Sequence, residues 1–267
     1  VLDPGFSSTD LEMGTARELM AAANNRGERL SGIPDIIEVG DGVIVMSKVP
    51  GESLSNIMMN ESRAKLITPE VTAEITYKAA LALQELAREG FVHRDLKQGN
   101  IMVDLGPNGE VHSVYIIDLG LTIKASESGP LKKAAGSPPY MSHEQITGKP
   151  LSSKSDIYSL GRMFYRLLTG EHLTTEAATP EAIFKATLKL SVDDISILLK
   201  KVPAKYRLVL AKMLDPNPEV RPSPRELMIE LWKIRVINRG EGVKFPPTAA
   251  EPPVPTRPGI PRPKVDP

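Results

Sequence analysis

The chain has 267 residues, 41% of them hydrophobic and 25% charged, with 33 Lys plus Arg balancing 33 Asp plus Glu and no cysteine. This is a globular composition, long enough for one large core or two small ones. The balanced charge speaks against nucleic acid or an anionic membrane as partner, and the missing thiols exclude disulfides and thiolate metal sites.

No apolar run approaches the roughly 20 residues that span a bilayer, and no signal-peptide pattern is present. Val1 to Asp10 is rich in Gly, Pro, Ser and Asp and reads as an irregular lead-in. Leu11, Ala16, Leu19, Met20 and Ala23 then offer one apolar face, which predicts a helix from Leu11 to Ala23. Ile36 to Gly40 and Val43 to Met46 are short apolar runs flanking Asp41-Gly42, a hairpin signal. Thr68-Pro69-Glu70 supplies a capping hydroxyl, a proline at the first helical position and a first-turn acid. Val71, Ile75, Ala79, Leu83 and Leu86 continue on one face, so a core helix is expected from Thr68 to Glu89, closed by Gly90.

A polar cluster, His93 to Asn100, follows this helix and precedes the strand-like run Ile101 to Leu105. A turn containing Asn108-Gly109 leads to the run Val114 to Ile117, which ends on Asp118-Leu119-Gly120; the two runs are expected to be antiparallel neighbours. The stretch from Asp118 to Glu144 is too long for a tight turn. Ser155 begins a helix reaching Thr169-Gly170 with a stripe at Ile157, Leu160, Phe164 and Leu167 to Leu168. Pro180 to Leu190 and Val202 to Leu214 read as amphipathic helices, and Ser223-Pro224-Arg225-Glu226 is a capping box before a last helix with Leu227, Leu231 and Ile234 inward. Phe245 to Pro267 is proline-rich, lacks periodicity and reads as an extended tail.

This layout brings Asp95, Asn100 and Asp118 together beside Lys97. A carboxylate can accept the proton of an attacking hydroxyl, an amide and a second carboxylate can hold Mg²⁺, and an ammonium can neutralise phosphate: the chemistry of phosphoryl transfer. The run His93-Arg94-Asp95-Leu96-Lys97-Gln98-Gly99-Asn100, with Asp118-Leu119-Gly120 downstream, resembles the eukaryotic-type (Hanks-type) Ser/Thr protein kinases. Three further stretches carry the resemblance in order. Gly136 to Glu144 is similar to the close of a kinase activation segment, Ser155 to Gly161 to the start of the central helix, and Asp215 to Pro222 to the element whose arginine pairs with the segment's glutamate.

The resemblance implies Asp95 as catalytic base, Lys97 on the transferred phosphate, Asn100 and Asp118 as metal ligands, and the Ser137 hydroxyl bonded to Asp95 and Lys97. It implies ATP and Mg²⁺ as cofactors. Met46 would be the gatekeeper, Ser47, Lys48 and Val49 the hinge that binds adenine, and Met102 would lie beneath the adenine. Glu52 is either a ribose contact or a helix N-terminal charge. Arg94 would read phosphorylation of Thr122, Ser126 or Ser128; Asp156 would accept hydrogen bonds from the catalytic-loop backbone, and Glu144 would pair with Arg221. The first helix would be the regulatory helix, with Glu18 preferred over Glu12 as partner of a strand lysine. Neither that lysine's strand nor a glycine-rich loop is found, since Gly14, Gly27 and Gly32 form no G-x-G-x-x-G; the chain, which starts on Val1, reads as a fragment or as degenerate there.

The expected fold class is α+β, a protein-kinase-like fold with a mainly helical large lobe and a truncated small lobe. Residues 1–48 would be the partial small lobe, 49–240 the large lobe and 241–267 a proline-rich tail or linker. The expected function is transfer of the γ-phosphoryl of ATP to protein Ser/Thr hydroxyls. Its rival is a pseudokinase or scaffold that binds partners through the large lobe and the tail; small-molecule kinases of the aminoglycoside type share the base and metal ligands but usually lack the Ser137 to Glu144 close. Expected partners are a protein substrate and an SH3-like or WW-like domain for the tail. The expected location is the cytoplasm, or a host cytoplasm for a secreted effector.

Overall fold

A computed structural model describes residues 8–40, 42–128, 134–174 and 179–239. Asp41 and the expected tail, 241–267, lie outside the described residues. The fold is α+β, as expected, with short antiparallel strands set into a mainly helical body.

Helix α1 (Ser8–Arg26) extends past the predicted helix at both ends and lies against the hairpin of β1 (Ile36–Gly40) and β2 (Val43–Met46). Ile37, Val43, Val45 and Met46 of this hairpin are exposed. The chain then meets β3 (Glu52–Ser53) through Gly51, which has φ +84°. A Cβ there would sit 2.1 Å from the carbonyl oxygen of Val103, so only glycine allows this approach.

Helices α2 (Leu54–Met59) and α3 (Glu61–Ala64) precede α4 (Pro69–Arg88), whose N-cap hydroxyl at Thr68 accepts from Val71 N at 3.3 Å. Next come β4 (Phe91–Val92), β5 (Ile101–Leu105), β6 (Val111–Ile116) and β7 (Ile123–Lys124). β5 lies between β3 and β6, antiparallel to both, in the register Glu52–Val103 and Ile101–Ile116, while β4 pairs with β7. The predicted antiparallel pair therefore forms, closed by the turn at Asn108-Gly109.

Then follow α5 (His143–Thr147), α6 (Ser153–Thr169), α7 (Pro180–Lys189), α8 (Val192–Leu198), α9 (Ala204–Met213) and α10 (Pro224–Arg239). The long helices begin where their caps put them: Ser152 and Ser155 cap α6 reciprocally, and Ser223 and Glu226 do the same for α10. α2, α3, α5 and α8 escape prediction because each is too short to show a 3.6-residue period, although Ser53, Asn60, Ser142 and Ser191 cap them in the ordinary way.

One hydrophobic cluster joins these parts. Leu19 of α1, Leu30 and Ile33 share it with Ile75, Leu83 and Leu86 of α4 and Ile157, Leu160 and Phe164 of α6. Each such side chain contributes ~1.5–3 kcal/mol on leaving water, which makes α4 and α6 the frame that holds the intervening loop. Among the described residues no helix is long and apolar enough to cross a membrane.

Candidate active site

The loop from His93 to Lys97 leaves β4 and enters a 3₁₀ turn at Gln98–Asn100. Its backbone is held from below by Asp156 in the first turn of α6, whose carboxylate accepts from His93 N at 2.8 Å and Arg94 N at 2.9 Å, as expected. Arg94 is thereby kept at φ +73°, a conformation that is costly for a non-glycine residue. Burial pushes the Asp156 carboxyl up to about 7 against the pull of those two bonds and of Arg94.

His93 is fully buried, and desolvation lowers its pKa, so the ring is neutral. Its Nδ1 accepts from Asp95 N at 3.3 Å, which leaves Nε2 to donate to the Ile117 carbonyl at 3.4 Å. The ring links the catalytic loop to the strand end that carries Asp118.

Asp95, Lys97 and Asn100 are brought into contact. Oδ2 of Asp95 accepts from Lys97 Nζ at 2.5 Å and from Asn100 Nδ2 at 3.3 Å, and Asn100 Nδ2 also donates to the Asp95 carbonyl at 2.9 Å. Oδ1 of Asp95 is buried with no partner among the described residues. Ile117 N donates to the Asn100 carbonyl at 2.9 Å, which sets Asp118 beside this group; Asp118 is exposed, at φ +68°, and accepts from Gly120 N at 3.2 Å. The Asp95 and Asp118 charges both act to raise the His93 pKa, so each carboxylate lies within electrostatic reach of that ring.

The donors fit a hard cation. Asn100 commits its amide nitrogen to Asp95 and keeps its oxygen as the group able to bind metal, while Asp118 presents a solvent-facing carboxylate. Among the described residues no three His, Cys, Asp or Glu side chains gather at a metal-binding spacing, so protein ligation of Mg²⁺ would come from these two, with phosphate or water completing the shell.

The other expected site residues are placed as follows. No hydrogen bond among the described residues joins the Ser137 hydroxyl to Asp95 or Lys97; Oδ2 of Asp95 is already taken by Lys97 and Asn100, and the Ser137 carbonyl accepts from Tyr140 N. Ser47, expected in the hinge, donates its N–H to the Asp35 carbonyl at 2.8 Å and accepts from Asp35 N at 3.0 Å, so these groups already have partners. Glu52 pairs with Arg63 at 2.9 Å. Lys48 is exposed and Val49 half-buried, and Met102 is half-buried opposite Ser53. No described hydrogen bond ties Met46, Ser47, Lys48 or Val49 to the Asp95 cluster.

Thr122 and Ser128 are buried, the latter fixed to Ala125 and Leu151, which leaves Ser126 as the exposed hydroxyl of the three. Glu18 and Glu12 are placed differently. Residues 118–124 run alongside α1, with Glu12 against Asp118 and Gly120, Thr15 donating to the Thr122 carbonyl at 3.3 Å, and Glu18 paired with Lys124. Burial, and then the Asp118 charge, raise the Glu12 pKa; Glu12 is therefore the α1 acid that faces the site.

Gln145 was missed. Its Nε2 donates to the Arg94 carbonyl at 2.8 Å and to the Ala135 carbonyl at 3.3 Å, while its Oε1 accepts from Ser142. The Ser142-x-x-Gln145 capping box was the readable signal. Next to it, Glu144 meets Arg221 in the expected bidentate pair at 2.6 and 3.0 Å.

The chain is 34% identical over 180 residues to the serine/threonine-protein kinase PknA of Corynebacterium glutamicum, covering 64% of this chain and 36% of that protein. It is 31% identical over 237 residues to the serine/threonine-protein kinase pkn3 of Myxococcus xanthus (79% and 39%), and 30% identical over 177 residues to Aurora kinase of Schizosaccharomyces pombe (65% and 46%). The matches thus span less than half the length of these relatives. The protein kinase domain family matches residues 7–233, nearly the whole described region. With the Asp95–Lys97–Asn100 cluster seated on Asp156 and backed by Glu144–Arg221, the chain belongs to the Hanks-type Ser/Thr protein kinase family.

Proposed function

We propose that this protein kinase transfers the γ-phosphoryl of ATP to serine or threonine hydroxyls of protein substrates. One observation carries the reading: Asp95 is buried, with one carboxylate oxygen held by Lys97 and Asn100 and the other without a partner. An oriented carboxylate oxygen with a free lone pair suits acceptance of a hydroxyl proton. In the reaction, the substrate oxygen bonds to the γ-phosphorus, the bond to the ADP oxygen breaks, and the hydroxyl proton passes to Oδ1 of Asp95. Lys97, next to Asp95, would neutralise charge on the transferred group. Magnesium bound at Asn100 and Asp118 would supply further charge neutralisation and orient the phosphates. Met46 to Val49 and Met102 remain the segments proposed to border the adenine, and Ser137 the hydroxyl that would turn to Asp95 when substrate is present.

The test is transfer of labelled phosphate to a generic protein substrate by the longest natural form of the chain, beside Asp95→Asn. Loss of ~10²-fold or more in rate with retained folding is expected. Equal signal from both proteins eliminates the catalytic role and leaves the binding-scaffold reading.

A further inference from the structure

A groove of about 650 Å³ opens between the first turns of α4, the β5–β6 turn, the start of α9 and α10. It is separate from the Asp95 site: Tyr77 in the groove lies ~16 Å along the helix axis from Arg88, beyond which the catalytic loop begins. Tyr77, Tyr206 and Trp232 make its aromatic lining. Its charged lining comprises Glu70, Glu74 and Glu110 against Lys205 and Arg235, with Lys205–Glu70 and Arg235–Glu74 each paired at 2.6 Å, so acid is in excess.

The sequence after α10 contains a ligand of matching chemistry. Pro252, Pro255, Pro258 and Pro261 recur every third residue, the period of a polyproline II helix, which would align them along one edge. Arg257 and Arg262 are the only charges between Pro252 and Pro263, and both are positive. Aromatic-lined grooves are what polyproline II segments dock into. Residues 240–251 can span up to ~40 Å, whereas Trp232 lies only ~10 Å before the end of α10, so the segment can reach the groove of its own chain.

We propose that the segment Pro252 to Pro261 docks as a polyproline II ligand in the aromatic groove of the same chain, its arginine facing the acidic lining. A tether of this length gives an effective concentration of ~1 mM, so even an affinity of ~100 µM for the free peptide fills the groove in about nine molecules of ten. Docking in this way withholds the prolines from any external polyproline-binding domain.

Trp232 is the chain's sole tryptophan and reports on the groove directly. The experiment compares its emission and acrylamide quenching in the full chain and in a variant carrying Pro252→Ala, Pro255→Ala, Pro258→Ala and Pro261→Ala, all outside the described residues. The variant is expected to show a red-shifted emission and a roughly twofold higher quenching constant, as an aromatic ring uncovered by loss of its ligand should. A synthetic peptide of residues 250–264 should reverse both changes saturably at ~100 µM, and the same peptide with the four alanines should not. Identical signals from the two chains, with no response to the peptide, overturn the proposal. A difference that grows with protein concentration assigns the occupant to a second copy and overturns docking within one chain.

Discussion

Replacing Arg221 by leucine tests how much of the fold hangs on one buried charge. The guanidinium is fully buried and makes two bonds to Glu144 and one each to the carbonyls of Asp215, Lys154 and Pro216, with Tyr158 stacked 4.7 Å from it. Leucine removes all of these and leaves the Glu144 carboxylate, 4% exposed, without its counter-ion. Breaking a buried pair from one side costs ~3–5 kcal/mol, a drop in Tm of ~6–20 °C for a chain of this size. Burial decides this, since the equally short Lys201–Glu171 contact at 2.5 Å is exposed and water solvates both partners whether or not they meet. The pH dependence supplies a second check. In the native protein Arg221 holds the Glu144 pKa below its usual value against the larger effect of burial, so the pair stabilises above the ordinary carboxylate range and this is lost as pH falls. Without Arg221, burial, the largest single effect, is opposed only by the backbone and Ser155 hydrogen bonds, so the Glu144 pKa rises and protonation at low pH relieves the variant. Urea unfolding of both proteins should therefore show a deficit near pH 7.5 that shrinks toward pH 5. A deficit under ~1 kcal/mol at pH 7.5, or one that does not change with pH, would refute the argument.

Asp156 should contribute a slope of the opposite sense: with its folded-state pKa raised to about 7 from 3.8, its stabilisation is full below pH 3.8 and is lost as pH rises to about 7. Asp156→Asn should lack that slope in urea melts, while disturbing the loop that Asp156 holds at His93 and Arg94. Gly51→Ala and Gly170→Ala separate strain from collision, because both residues have positive φ but only Gly51 faces a carbonyl. Thermal melts should show a loss of ~1 kcal/mol at Gly170 and at least twice that at Gly51. Thr122→Val should stabilise by up to ~1 kcal/mol in the same assay, since the Thr122 hydroxyl is buried and has no partner among the described residues.

What could be read from the sequence follows from where each determinant lies along the chain. The helices α4, α6 and α10 announce themselves because cap, period and terminator are all local, and the antiparallel β5–β6 pair because its turn chemistry is local. Asp95, Asn100 and Asp118 follow from the same local layout, whereas Asp156 with the catalytic loop and Glu144 with Arg221 meet over long separations that no local rule supplies; the resemblance pointed to them, and hydrogen bonds at 2.6–2.9 Å show the physical reason. Which of Glu12 and Glu18 lies beside Asp118 was not legible for a different reason. Both are helical glutamates, and which one faces the site depends on the rotation of α1 about its axis and on the course of residues 118–124 along it. Helix α1 has too diffuse an apolar face for its sequence to set that rotation. The same holds for Thr122 and Ser128, hydroxyls that look like loop residues by composition. They are buried because β7 pairs with β4 and draws that part of the loop under Leu151, a contact made by the chain's path and not by its local pattern. Local chemistry thus locates the scaffold, and the acids that touch the site are sorted only by how the segment after Asp118 packs on α1.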